Sequence, residues 1–121
     1  MQVFKNTWFT RFADKEGITD SELKDAVKQL EAGQADADLG GGVYKVRVAR
    51  PGEGKAGGYR VIVFFRSEDR TFFEYGFAKS GRDNIDEGEL KEFKRKAKRV
   101  LSFTDEEIRD QLSRRIYIEV L

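Results

Sequence analysis

The residues that could do chemistry are cations. Lys45 and Arg47 alternate with Tyr44, Val46 and Val48 in the run Val43 to Arg50, so they share one face of a strand. At strand spacing they stand about 6–7 Å apart. Arg60 opens a second strand that continues through Val61, Ile62, Val63, Phe64 and Phe65. Lys79 and Arg82 close a third, which runs from Thr71 to Ala78. If these three strands form a meander, their cations converge on one side of the sheet, where a phosphodiester is the natural ligand. Arginine suits that task because its guanidinium is always charged and forks onto two phosphate oxygens.

The elements around them are legible in outline. Gln2 to Lys5 reads as a short strand. Thr7 to Lys15 reads as a helix with Trp8, Phe9, Phe12 and Ala13 on one face, and core packing is the expected role of Trp8 and Phe12. Gly17 ends it. Thr19 and Glu22 form a capping box, flanked by Ile18 and Leu23 as a hydrophobic staple. Leu23, Ala26, Val27 and Leu30 give the next helix its apolar face, and Gly33 stops it. The pair is expected to pack on the sheet as a helical hairpin.

Gln34 to Gly42 is expected to be a loop. Asp36 and Asp38 there lack the further ligands of a calcium loop, so no metal is expected. Pro51 to Gly58 reads as a second, glycine-rich loop presenting Lys55. Its likeness to a nucleotide-binding loop fails. Ala49 stands where the first Gly belongs, Ala56 where the Ser or Thr belongs, and a strand follows where a helix is needed. Val61 to Phe65 is apolar throughout and should be central. Arg60 should sit at that strand's mouth, and Phe73, Tyr75, Phe77 and Lys79 should share one side of the third strand. Asp86 with Glu89 starts a helix to about Leu101, Thr104 with Glu107 starts another to about Leu112, and Ile116 to Val120 reads as a terminal strand. That last strand either joins the sheet edge or awaits a partner. The order predicts one α+β domain over residues 1–121.

Composition bounds the function. The chain has 121 residues, no Cys and no His, so disulfides, thiolate metal sites and the usual general base are excluded. The N-terminus has the pattern of neither a signal peptide nor a membrane span, and a cytoplasmic location is expected. The net charge of +1 is unevenly spread: residues 43–82 hold nine cations against four acids. The excess falls on the strands, where a polyanion would meet it.

The segments Ala37-Asp38-Leu39-Gly40-Gly41-Gly42-Val43-Tyr44-Lys45, Lys55-Ala56-Gly57-Gly58-Tyr59-Arg60, Tyr75-Gly76-Phe77-Ala78-Lys79 and Arg82-Asp83-Asn84-Ile85 resemble one branch of the RelE/HigB toxins of bacterial toxin–antitoxin systems. The resemblance covers most of the chain. It implies a RelE-like fold, with two N-terminal helices on an antiparallel sheet followed by C-terminal helices and a terminal strand. It also implies a cytoplasmic toxin that cleaves messenger RNA in the ribosomal A site, and a cognate antitoxin, often of helix-turn-helix type. The family's catalytic cluster carries over to Lys45, Arg47, Arg60 and Lys79, with Arg82 following. Arg50, Lys55 and Asn84 are the corresponding RNA or phosphate contacts.

Neither a metal nor another cofactor is expected. Attack of a 2′-hydroxyl on the adjacent phosphate would use Arg60 to stabilise the phosphorane. Lys45, crowded by Arg47 and Arg60, is the expected base. Lys79 or Arg82 would serve the leaving oxygen. Two other classes stay open on sequence alone: a gyrase poison of the ParE type, and a non-catalytic RNA- or protein-binding module on the same face.

Overall fold

The computed structural model describes residues 1–50 and 54–121, with side chains described outside 50–57. Ten elements follow in order: β1 (Gln2–Asn6), α1 (Thr7–Glu16), α2 (Asp20–Glu31), β2 (Ala37–Gly40), β3 (Val43–Arg50), β4 (Gly54–Arg66), β5 (Arg70–Ala78), α3 (Glu87–Val100), α4 (Asp105–Ser113) and β6 (Tyr117–Glu119). They form an α+β domain around one six-stranded sheet of order β2-β3-β4-β5-β1-β6. All neighbours pair antiparallel except β1 and β5, which run parallel.

Each sheet face has its own core. Alternation sends Tyr44, Val46, Val48, Tyr59, Val61, Val63 and Phe73 to the face covered by α1 and α2. Val43, Ile62, Phe64, Phe72 and Phe77 go to the other, where Ala97 and Val100 of α3 and Ile108 of α4 cover them. The apolar run Val61–Phe65 is buried on both faces, as its position in the middle of the sheet requires. Helix starts follow their caps: Asn6 accepts from Phe9, and Thr19, Asp86 and Thr104 each build a full capping box. The terminal strand β6 takes the first of its two options and pairs with β1.

Four expectations need correction. First, the segment 34–42 is not wholly loop, because Ala37–Gly40 forms the edge strand β2. Asp38 Oδ1 accepts the Gly40 N–H at 3.0 Å, and Gly40, Gly41 and Gly42 all take positive φ to turn the chain into β3. Second, the glycine loop is shorter than its composition suggests: Gly54–Gly58 belong to β4. Pro51 to Glu53, and the side chains of Arg50 and Lys55, lie outside the described residues.

Third, Phe73 does not share a side with Tyr75 and Phe77. The β4–β5 register jumps from Ile62↔Tyr75 to Val63↔Phe73, which leaves Glu74 without a cross-strand partner. That extra residue is a β-bulge, and a bulge resets the alternation. Fourth, Trp8 is not core. It is 45% exposed, while its neighbour Phe9 is fully buried.

Candidate phosphate-binding site

The site begins with a conflict. Register places Arg47 of β3 directly opposite Arg60 of β4, and Lys45 one step along, opposite Ile62. Like charges facing each other across a ladder repel. The conflict is resolved by Asp36, the residue before β2. Its carboxylate lies 2.7 Å from Arg47 Nε, 3.6 Å from Lys45 Nζ and 3.8 Å from Arg60 Nε. Because Ala37 pairs with Lys45, the edge strand delivers Asp36 to the cations.

Burial alone would push the Asp36 carboxyl up. The hydrogen bond from Arg47 and the charges of Arg47, Lys45 and Arg60 outweigh it and hold the group below its ordinary value. Arg60 is 3% exposed. It sits inside the sheet, not at its mouth, beside the two other cations that face Asp36. The three cations thus form a cup already occupied by a carboxylate, a small oxyanion of their own chain.

Beside the cup lies an aromatic wall carrying a fourth cation. Phe77 is opposite Arg60, and Tyr75 is opposite Ile62. The Arg82 guanidinium stands 5.7 Å from the Phe77 ring centre and 5.9 Å from that of Tyr75. Its Nη1 bonds the Tyr75 hydroxyl at 3.1 Å, its Nε donates to the Asn84 carbonyl at 2.8 Å, and its Nη2 pairs with Glu89. Glu89 raises the affinity of Arg82 for its proton, and Arg82 in turn holds Glu89 below the usual carboxylate range.

Lys79 is exposed and stands in the turn that follows β5. Its N–H donates to the Gly58 carbonyl at 3.3 Å. Asn84 is exposed and uses its side-chain oxygen on the Ile85 N–H. The structure therefore brings Lys45, Arg47 and Arg60 together and sets Arg82 against the Tyr75 and Phe77 rings, with Lys79 in the turn after β5.

Asp36 is the member that sequence reasoning missed. It was weighed only as a metal ligand beside Asp38, and the two carboxylates part: one turns to the cations, the other to the Gly40 turn. Among the described residues, no three His, Cys, Asp or Glu side chains gather as a metal site. The reading of Lys45 as a base crowded only by cations also leaves out this carboxylate. Two further strand cations are engaged in the fold itself. Arg70, 4% exposed, donates to the Phe103 carbonyl and to Asp105, each at 2.5 Å. Arg66 donates to the Leu101 carbonyl at 2.7 Å.

Compared with known families, residues 1–120 match the one described as the RelE toxin of the RelE / RelB toxin-antitoxin system.

Proposed function

The chain belongs to the RelE toxin family, and we propose on that basis that it arrests translation by cutting messenger RNA on the ribosome. Family membership makes it the toxin of a toxin–antitoxin pair, with an antitoxin as partner. No helix among the described residues is long and apolar enough to cross a membrane. The proposed setting is the bacterial cytoplasm, with an antitoxin of helix-turn-helix type.

One observation carries the ribonuclease reading: three cations from adjacent strands are held around one oxyanion. In the proposed reaction a phosphate displaces the Asp36 carboxylate from part of this cup. The 2′-oxygen attacks phosphorus, the bond to the 5′-oxygen breaks, and a cyclic phosphate remains. Arg60 and Arg47 stabilise the added negative charge, each preorganised cation contributing about 3–4 kcal/mol. In this scheme Lys45 receives the 2′-hydroxyl proton as the neutral amine, the form that the like charges of Arg47 and Arg60 favour once Asp36 is displaced. Lys79 gives a proton to the departing 5′-oxygen with Arg82 stabilising its charge, and Arg50, Lys55 and Asn84 are outer phosphate contacts. No step calls for a metal.

The test is expression in a bacterium of the wild type, Arg82→Ala and Arg60→Ala, with messenger RNA mapped during arrest. Cut messages that disappear in both variants, with folded protein still present, support the reading. Arrest with intact messages would move the protein to a binding module. DNA damage with translation running would move it to a gyrase poison.

A further inference from the structure

Trp8 is the chain's single tryptophan, and it is the largest side chain left open to solvent. It stands in the first turn of α1, where β1 has just stopped pairing with β5: the register ends at Lys5↔Phe73. Beyond that point the outer edge of β5 has no strand beside it among the described residues. The indole lies there, its centre 4.6 Å from the Tyr75 ring and 5.3 Å from the Phe12 ring. Phe12 continues inward to Tyr59 at 5.6 Å, so the indole is anchored from behind while nearly half of it remains exposed.

Tyr75 is the hinge of the argument. One side of its surroundings is Trp8; another is the Arg82 guanidinium, bonded to its hydroxyl. It also stands in register with Ile62, and through it with Lys45. A strand whose phosphates meet Arg82 and the Asp36 cup therefore brings a neighbouring base to the indole. Arg11, exposed one helical turn from Trp8, adds a cation on the same side of α1. An aromatic face flanked by cations is the recurrent arrangement for holding single-stranded nucleic acid.

We propose that Trp8, backed by Tyr75, is a stacking platform for a base of single-stranded RNA adjoining the phosphate at Arg82. The ligand class rests on the ribonuclease reading above.

The lone indole reports on itself. A short single-stranded RNA with 2′-O-methyl groups, which cannot be cut, is titrated into the full chain while tryptophan emission is followed. Anisotropy of a labelled copy gives affinity for wild type, Trp8→Phe and Trp8→Ala, and melting curves check that all three fold. The expected result is quenching that saturates with binding, and affinity about five- to a hundredfold weaker in Trp8→Ala. Trp8→Phe keeps most of it. Binding without quenching, no binding by the wild type, or unchanged affinity in Trp8→Ala overturns the proposal. Cleavage of message on programmed ribosomes is measured in parallel. Cleavage without stacking leaves the ribonuclease reading standing, whereas stacking without cleavage sinks that reading and keeps the platform.

Discussion

Asp36 lies among the cations of the cluster and, on the proposed reading, competes with its ligand. Its side chain is 13% exposed and that of Arg60 only 4%, so their interaction is little screened by water. Asp36→Asn should lower stability by about 1.5–3 kcal/mol, read by urea unfolding, because it removes the carboxylate charge that lies among Arg47, Lys45 and Arg60. The same variant should bind a short RNA more tightly, since the phosphate no longer displaces a carboxylate. Proton linkage gives Asp36 and Glu74 opposite signs. The Asp36 pKa is depressed in the fold, so its contribution is present above the ordinary value of 3.8 and fades as pH falls through the lower folded value.

Glu74 is buried, and burial raises its pKa despite Lys96 at 2.7 Å, Tyr117 at 2.5 Å and Asn6 at 3.2 Å. Its contribution is full below 4.5 and is lost as pH rises through the folded value. The melting-temperature difference between wild type and Glu74→Gln should therefore be more favourable to wild type near pH 4.5 than at about pH 8. A difference that grows with pH would contradict this assignment.

Among the elements, the β-bulge and the edge strand decide the site, and both were hard to see in the sequence. The cations of β3 and β4 were readable, because strict alternation through Lys45, Val46 and Arg47 fixes which residues share a face. The capping boxes at Thr19, Asp86 and Thr104 marked three helix starts by chemistry local to four residues. The bulge at Glu74 has no such local mark: TFFEYGF reads equally well as an unbroken strand, and only the partner strand reveals the extra residue. Strand β2 is four residues, Ala37 to Gly40, that end in the first of three consecutive glycines, and its pairing with β3 comes from the turn. Missing β2 meant missing where Asp36 goes. The exposure of Trp8 is invisible to helical periodicity, which reports a side of a helix and not whether the sheet extends far enough to cover it.

Gly76 tests how tightly α1 is keyed to β5. A Cβ there would meet Phe12 Cε2 at 2.5 Å, so Gly76→Ala must displace the ring on which Trp8 stacks. The expected cost is about 1–3 kcal/mol, with a change in tryptophan emission maximum even without ligand. An unshifted spectrum and unchanged stability would show that the two elements meet more loosely.

At the scale of the whole molecule, near-neutrality hides a division of labour. The net charge is only +1, yet nine cations fall in residues 43–82. Some are structural, such as Arg70 under α4 and Arg66 at the end of α3. Others gather at the Asp36 cup and the aromatic wall. On the proposed reading, a site built this way meets about three phosphates. The affinity for a short single-stranded RNA should then fall with roughly the second power of salt concentration. A salt-independent affinity would point away from phosphate contact.

The most direct test of the central claim is cleavage of a defined message on purified ribosomes, mapped by primer extension, with wild type, Arg47→Ala and Arg82→Ala. Neither residue is deeply buried, and melting curves confirm the fold of each variant. The cation cluster as catalyst predicts discrete cuts by the wild type and a rate lower by about a hundredfold or more in Arg47→Ala, with Arg82→Ala also impaired. Wild-type cutting that both variants match, or no cutting by the wild type under any programmed codon, would contradict it.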